Sequence, residues 1–505
     1  MFLVRGPLDR QMFGKPGGKL VPVWHEDDSE ERYVLLDCFD QSIRRSGAIL
    51  IEAAGQLTLI GRDGHTVMQP AARTGNFVGD LEPGLVRRAL GMVPELRSLM
   101  EIGTGKLLQS RLALIDGEQK THARARFLTL RPEDPQGVSS VSEKVEITLA
   151  SVLGLRGYDK AYRALTKKLG ATDADGSVAE ALYGGPVAYV AKPDIKMTGD
   201  EPAFQAASDI ISAYVTVARQ NEPGIIADYD TEFLHDYRVA LRKVRSVLSL
   251  FKGVYGEAET EMLKADFSEL MAPTGRMRDL DVYLLDRDHY FEMLPDTLHG
   301  GLTMMFDLLS KERQAGLRAF SRRLRSAGYN RKMLALAARF ADRNSLDPGA
   351  NAMLHAADYA SALIWKRYRK VCKIAAGIDD RTEDEEVHEL RIHCKKLRYL
   401  MEFFAPLFPS GEIRVLIKPL KRLQDNLGLF NDYSVQQISL QAFLGDHPTS
   451  GGKDNLAIAQ SIGALTAALH QRQLDERAKV VSNFTQFDSP EVRKKFRSLF
   501  HNKGK

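Results

Sequence analysis

Two copies of one histidine-led basic segment constrain this chain more than any other feature of its sequence. The first copy reads HDYRVALRKVR from His235 to Arg245, and the second reads HELRIHCKKLR from His388 to Arg398. The copies are 153 positions apart (388 − 235), and most of their positions hold the same or a similar residue type. A chain that carries this segment twice is expected to fold into two similar helical units.

The similarity continues beyond the two basic segments. RDLDV (278–282) follows the first copy and NDYSV (431–435) follows the second. Asp279 and Asp432 each lie 44 positions after the leading histidine, so the two units align without a gap. Two copies predict a pseudo-two-fold arrangement rather than a solenoid, and equivalent helices would then build one shared site.

A helical wheel separates the basic residues of each copy from its apolar residues. The basic positions fall within an arc of about 80°, and they are His235, Arg238, Arg242 and Arg245 in the first copy and His388, Arg391, Lys395 and Arg398 in the second. Lys243 and Lys396 lie beside this arc. No acid separates the cations, so their mutual repulsion favours a bound anion.

The residue types indicate binding rather than catalysis. Arginine holds two phosphate oxygens at once and lysine acts as a point charge, and no paired carboxylates or activated nucleophile accompany them. The alternatives are a solvated basic face and histidines that bond to carbonyl groups in the core. Metal ligation is disfavoured because no His or Cys stands four residues from His235.

The pattern of the chain predicts two folded regions of different kinds. Residues 1–172 read as β-rich, with short alternating runs separated by Gly, Asp and Pro. Residues 173–200 have the composition of a linker, and residues 201–505 show helical periodicity with repeat units at about 203–345 and 350–500. The fold class expected is α+β multidomain.

Composition limits the remaining possibilities. At 505 residues, with 44% hydrophobic and 27% charged residues, the chain is expected to form two or three globular domains. No apolar run approaches the roughly 18 to 20 residues of a membrane span, and no membrane partner is expected. Cys38, Cys372 and Cys394 lack metal-ligand spacing and suggest free thiols in a reducing cytoplasm.

The paired segments, with RMRDLDV and LKRLQDNLGLFNDYSV after them, resemble the CHAD domain, the conserved histidine α-helical domain, over roughly residues 200–500. The resemblance implies two four-helix bundles around a pseudo-two-fold axis and a basic pocket that binds inorganic polyphosphate. It implies no cofactor, and polyphosphate granules in the cytoplasm are one location it allows. The implied binding residues are His235, Arg238, Arg242, Lys243, Arg245, His388, Arg391, Lys395, Lys396, Arg398, Lys418 and Lys421; Ser268 stands opposite Lys421, so the two walls differ in charge.

The N-terminal region is similar, in patches, to the CYTH domain, a β-barrel that hydrolyses triphosphates with a divalent metal. RYVLLDCFDQSIRRSGAILI (32–51) and LRGYDKAYRALTKKLG (155–170) carry that similarity. The family's opening Glu-x-Glu-x-Lys strand is missing, and Thr148 stands where a second acid would assist Glu146. We therefore expect a degenerate barrel without catalysis.

Two alternatives to polyphosphate binding remain at this stage. One is a CYTH-type triphosphatase that uses Glu146 and a basic strand, in which Lys120, His122, Arg124 and Arg126 share one face; that row would line a tunnel or guard an edge strand. The other is nucleic-acid binding, against which stands the scarcity of aromatics for base stacking, with Tyr399 and Trp365 the plausible ones. The oligomeric state stays open.

Overall fold

The structure, a computed structural model, describes the chain except for residues 15–18, 27–29, 134–145, 175, 184–188, 380, 447–452 and 502–505. It divides into two compact units, Met1–Val190 and Ala191–Lys505. The fold class predicted from the sequence is confirmed: a curled antiparallel sheet forms the first unit, and α-helices form the second.

Within its described residues, the first unit contains nine antiparallel strands. They are β1 (Phe2–Arg5), β2 (Val21–Glu26), β3 (Glu31–Asp37), β4 (Ile49–Ala53), β5 (Gln56–Ile60), β6 (Thr66–Pro70), β7 (Met100–Ile115), β8 (Thr121–Glu133) and β9 (Ile147–Gly154). Their order is β1-β9-β8-β7-β3-β4-β5-β6, and β2 also pairs with β7. β1 and β6 end this order, so the described strands form a half-barrel, consistent with a CYTH-like fold.

The described part of this unit also contains four α-helices: α1 (Ser42–Arg45), α2 (Leu85–Ala89), α3 (Asp159–Gly170) and α4 (Val178–Tyr183). α4 lies within the predicted linker, whose residues 175 and 184–188 are outside the described part of the chain. Val178 and Ala179 of α4 are buried in the same apolar cluster as Leu3 and Tyr33. This packing explains why the first unit extends to Val190.

The basic row on β8 belongs to an interior strand. β8 pairs with β7 on one side and with β9 on the other, so the edge-strand interpretation of this row is wrong. Arg124 and Arg126 are exposed on one face, whereas Ala123 and Ala125 are buried on the other. The alternation expected of a strand with one packed face is therefore present.

The second unit consists of thirteen α-helices within its described residues. They are α5 (Ala203–Ala227), α6 (Thr231–Leu250), α7 (Glu257–Met271), α8 (Gly275–Leu285), α9 (Arg287–Glu292), α10 (His299–Arg325), α11 (Ala327–Ala341), α12 (Ala356–Ala375), α13 (Asp384–Phe403), α14 (Ser410–Asp446), α15 (Lys453–Arg477), α16 (Val480–Phe487) and α17 (Pro490–Phe500).

The helix boundaries repeat with the offset of the sequence copies. α12 begins 153 positions after α5, and α13 begins and ends 153 positions after α6. α14 likewise begins 153 positions after α7, although it continues as one helix where the first copy divides into α7 and α8. Equivalent helices also touch, because α6 packs against α13 and α10 packs against α15.

Cations at both ends of the acid-free run from Arg313 to Lys332 pair with acids of other elements. Arg313 pairs with Asp228 and with the buried Asp281, and Lys332 pairs with an acid of α7, Glu269, at 2.6 Å. These pairs join helices within the first repeat. Among the described residues no helix is long and apolar enough to cross a membrane.

Candidate anion-binding site

The two histidines occupy the same place on equivalent helices. Asp230 caps α6 by accepting hydrogen bonds from the backbone N–H groups of the first turn, which fixes where the helix begins. His235 and His388 are each the fifth residue of their helix. Both basic segments therefore begin one turn inside the helix and run toward its C-terminal end.

We call the basic residues predicted on both helices the cationic row: His235, Arg238, Arg242 and Arg245 of α6 and His388, Arg391, Lys395 and Arg398 of α13. The opposite faces of the helices are apolar, and Leu241, Val244 and Leu397 are completely buried. Anchoring the helices by these apolar faces holds the cations of the row in place.

The pKa of Lys395 reflects the other cations of the row that lie near it. Burial lowers the pKa of Lys395 to about 8. The positive charge of Arg242, its counterpart in the first repeat, lowers this pKa further, as do Arg391 and Arg398. Asp432 acts in the opposite direction. Cations from both repeats therefore repel one another at the centre of the row.

The arginines of α6 are only partly satisfied within the protein. Arg238 donates to the hydroxyl of Thr274 at 2.5 Å, and burial lowers its pKa. The solvent-shielded Nε atom of Arg242 has no hydrogen-bond partner among the described residues. Buried donors without partners are costly, and an anion with several oxygens would satisfy them.

Side chains on the neighbouring helices orient the row, and the sequence motifs had marked their positions without assigning them a role. His388 hydrogen-bonds through Nδ1 to the side-chain oxygen of Asn431 at 2.7 Å. Asp432 lies 3.6 Å from Arg391, and its counterpart Asp279 acts on Arg238 in the same way. The histidine-to-aspartate offset shared by both repeats was the available signal.

The structure separates Lys243 from the row. Its side chain is only 9% exposed and forms an ion pair with Glu402 of α13. Its ammonium group also lies 4.5 Å from the ring centre of Tyr399 and 5.0 Å from that of Phe403. The family resemblance implied an anion ligand, but Lys243 joins α6 to α13 because its partners come from the opposite helix.

Lys396 lies in a different group of charges. Burial lowers its pKa, and so does the neighbouring Arg367 of α12. Arg367 donates to Nδ1 of His393 at 2.8 Å, and burial lowers the pKa of His393 to about 4. Since arginine only donates, the accepting ring of His393 is neutral. Lys396 therefore faces the α12–α13 interface.

Lys418 and Lys421 lie on the exposed face of α14, where they line a shallow cavity of about 500 Å³ together with Arg414 and Arg422. The sequence motifs do not mark these two arginines. The counterpart of Arg422 is Glu269, which pairs with Lys332 in the first repeat. The difference in charge between the two walls thus extends beyond Ser268 and Lys421.

A second cationic cavity, of about 700 Å³, lies between side chains of α12 and α17. Arg369, Arg493, Lys494 and Arg497 line it with Trp365. Arg493 is engaged by Asp488 at 2.8 Å. The cavity draws its cations from one repeat only, unlike the row.

The first unit does not assemble the carboxylates of a triphosphatase within its described residues. Glu146 is held by Nε of Arg131 at 2.7 Å. Glu30 pairs with Lys106 at 2.7 Å. The hydroxyl of Thr148 contacts Thr129 at 2.9 Å. No group of three or more potential metal-ligating side chains occurs among the described residues.

The second unit is an internally duplicated helical region, and both copies contribute residues to its cationic row. These two features define its class. Residues 209–441 match the family model of the CHAD domain, and this part of the chain is a CHAD domain. The predicted family resemblance is thereby confirmed for the helical region.

The individual proteins that are similar to the chain share a low sequence identity with it. Two curated proteins of Mycobacterium tuberculosis, from strains CDC 1551 / Oshkosh and ATCC 25618 / H37Rv and both described as uncharacterized, are 27% identical over 306 residues. The match covers 58% of this chain and 53% of each relative, so the chain spans about half the length of the curated relatives it matches.

Two solved structures are also similar. The crystal structure of the CHAD domain from the plant Ricinus communis is 28% identical, with a TM-score of 0.45, covering 56% of this chain and 97% of that one. PptA from Streptomyces chartreusis is 14% identical, with a TM-score of 0.38, covering 60% and 100% of the two chains.

Proposed function

We propose that the chain binds inorganic polyphosphate along the cationic row. The observation that carries this proposal is Lys395, whose pKa is lowered to about 8 by burial and by three arginines around it. Holding these cations together costs free energy in the empty protein, and a bound polyanion offsets that cost. Arginine forks and a lysine provide donors suited to phosphate oxygens.

The CHAD resemblance carries the same expectation, because the family is associated with polyphosphate. A linear polyanion also fits a row of successive cations on two adjoining helices better than a single small anion does. The first unit is proposed to be non-catalytic, since Glu146 is engaged by Arg131. On this view the protein binds and retains the polymer without hydrolysing it.

Nucleic acid is the competing polyanion. Base stacking would require exposed aromatic rings beside the row, but Tyr399 is only 4% exposed. Its ring lies beneath the ammonium group of Lys243. Polyphosphate, which has no bases, therefore suits the row better than a nucleic acid, whose bases need aromatic rings for stacking.

A competition experiment tests the proposal. The full chain, bound to fluorescent single-stranded DNA or RNA at fixed ionic strength, is titrated with long-chain polyphosphate, and the reverse titration is performed. Polyphosphate is expected to displace the nucleic acid at a much lower concentration of phosphate groups than the reverse. Equal displacement in both directions would contradict the proposal and indicate a general cationic surface.

A further inference from the structure

A cavity of about 430 Å³ lies beside α8 and α14, where the two repeats meet. Asp279 and Val282 line it from the first repeat, and their counterparts Asp432 and Val435 line it from the second. Its volume falls within the usual range of small-molecule pockets, about 300–1,000 Å³. The cavity is therefore large enough for a ligand.

The lining is acidic, in contrast to the cationic row. Asp279, Asp286 and Asp432 line the cavity, and its single basic residue is His289. Arg472 donates to Nε2 of His289 at 2.5 Å. Because arginine has no acceptor, this nitrogen accepts and the histidine ring is neutral in that contact.

Arginine side chains partly compensate the negative charge of these acids. Arg391 approaches Asp432 at 3.6 Å, and Arg238, Arg276 and Arg278 act on Asp279. Partial loss of solvent raises the pKa of Asp286, and with His289 neutral the opposing positive charge is that of Arg278. Asp286 would therefore gain most from a cationic ligand.

Tyr290 provides an independent indication of a ligand. It lines the cavity and is only 1% exposed, yet its hydroxyl has no hydrogen-bond partner among the described residues. The charges that act on this hydroxyl belong to Tyr283, Asp286 and Tyr433, which also line the cavity. The hydroxyl therefore lies among side chains that line the cavity, where an ammonium group can donate a hydrogen bond to it.

The other lining residues favour an organic cation over a metal ion. Val282, Met293 and Val435 present apolar surface for methylene groups. The rings of Tyr283 and Tyr290 stack with their centres 5.7 Å apart and provide an aromatic wall suited to a cation. No group of three or more potential metal ligands occurs here or elsewhere in the described part of the chain.

We propose that this cavity binds a linear aliphatic polyamine, with Asp286 and the Tyr290 hydroxyl as ligands of its ammonium groups and the apolar lining around its methylene chain. The cavity adjoins the proposed polyphosphate site through Asp279 and Asp432. The two proposals stand separately, because Asp286 and Tyr290 are not part of the cationic row.

Calorimetric titration of the full chain with spermidine, at low ionic strength and without polyphosphate, tests the proposal. Saturable binding is expected. Asp286→Asn should weaken it about tenfold through loss of a charge-assisted contact, and Tyr290→Phe about fivefold through loss of one hydrogen bond. Asp307→Asn, which removes an exposed acid of α10, should leave the affinity within about twofold as the matched control.

Two outcomes would overturn the proposal. One is the absence of saturable spermidine binding, or equal affinity in Asp286→Asn and Asp307→Asn. The other is displacement of spermidine by Mg²⁺ at equal concentration of charge, which would indicate simple screening. Circular dichroism on each variant verifies folding, and Tyr290→Phe keeps the ring in place. Polyphosphate affinity, measured separately, should not change in these variants.

Discussion

Phe251 stacks on Phe404, its own counterpart in the second repeat, with ring centres 4.7 Å apart and ring planes inclined by 12°. Both rings are buried. Tyr283 similarly donates its hydroxyl hydrogen to the backbone oxygen of its counterpart Gln436 at 3.2 Å. Residues that touch their own counterparts lie at the pseudo-two-fold axis, so the axis passes through both contacts.

Loss of the aromatic stack should destabilise the helical unit. Phe404→Ala is expected to lower the free energy of unfolding by about 3–5 kcal/mol, because it opens a cavity where the repeats meet. Chemical denaturation monitored by circular dichroism measures the change. Phe484→Ala, at a half-buried ring of α16, should cost less than half as much; equal costs would contradict a special role for the axis.

Removing the two central cations should weaken polyphosphate binding. The double variant Arg242→Ala with Lys395→Ala loses charge-assisted contacts of about 1.5–3 kcal/mol each. Helicity should be unchanged, because both residues lie away from the apolar faces. Titration with long-chain polyphosphate and circular dichroism are performed on the same sample.

The matched control for this variant is Arg369→Ala with Arg497→Ala, which removes two cations from the cavity between α12 and α17. Its effect on affinity should be small and should disappear at moderate salt. A greater loss in the control than in the central variant would transfer the binding site to that cavity.

Polyphosphate affinity should decrease as the pH rises through about 8. Lys395 loses its proton near that pH in the free protein. A bound polyanion favours the charged ammonium group, so binding above this pH must take up a proton. Between about pH 7 and 9.5, wild-type affinity should fall, and Lys395→Arg should flatten the dependence because arginine stays charged.

A long polymer is required for this measurement, because its few end groups contribute little titration of their own. Lys396→Arg, at the neighbouring lysine, is the matched control and should retain the wild-type dependence on pH. If Lys395→Arg retained it too, the pH response would originate elsewhere.

Lys243 should contribute to stability rather than to binding. Lys243→Met removes the ion pair that links α6 to α13, although Glu402 keeps Arg398 at 3.1 Å. Removing one member of a buried pair costs about 3–5 kcal/mol. Because Glu402 is 34% exposed, the lower part of that range or less is expected. Affinity of the folded variant for polyphosphate should match wild type, and a selective loss of affinity would return Lys243 to the binding site.

The first unit should not hydrolyse tripolyphosphate or nucleoside triphosphates in Mg²⁺ or Mn²⁺. Glu146 is paired with Arg131, and no group of three or more potential metal ligands occurs among the described residues. Phosphate release is the measurement. Release above background that disappears in Glu146→Gln would establish the enzyme alternative.

The sequence predicted the helical repeat well because its signal is redundant. His235 and His388, the apolar faces behind them and the shared offset to Asp279 and Asp432 all indicate the same arrangement. The helix boundaries then follow the same 153-residue offset. Such agreement is expected because local periodicity determines which residues of a helix face the core.

Partners from other elements could not be predicted in this way. The family resemblance made Lys243 an expected ligand, but Glu402 and Tyr399 reach it from α13. The pairing of Arg313 with Asp228 and Asp281 is equally invisible in a run without acids. Long-range pairing decides whether a basic side chain binds a ligand or another helix, and periodicity carries no information about it.

The central position of the row has a consequence for how this protein could diverge. In a homodimer of identical half-length chains, symmetry would place the same residue twice at every position beside the axis. Joining the copies in one chain removes that requirement. Arg242 supplies a charge that persists at any physiological pH, while its counterpart Lys395 supplies one that is adjustable near pH 8. Covalent duplication thus allows one helix to carry a permanent charge at this position while its near-identical counterpart carries a charge that changes with pH.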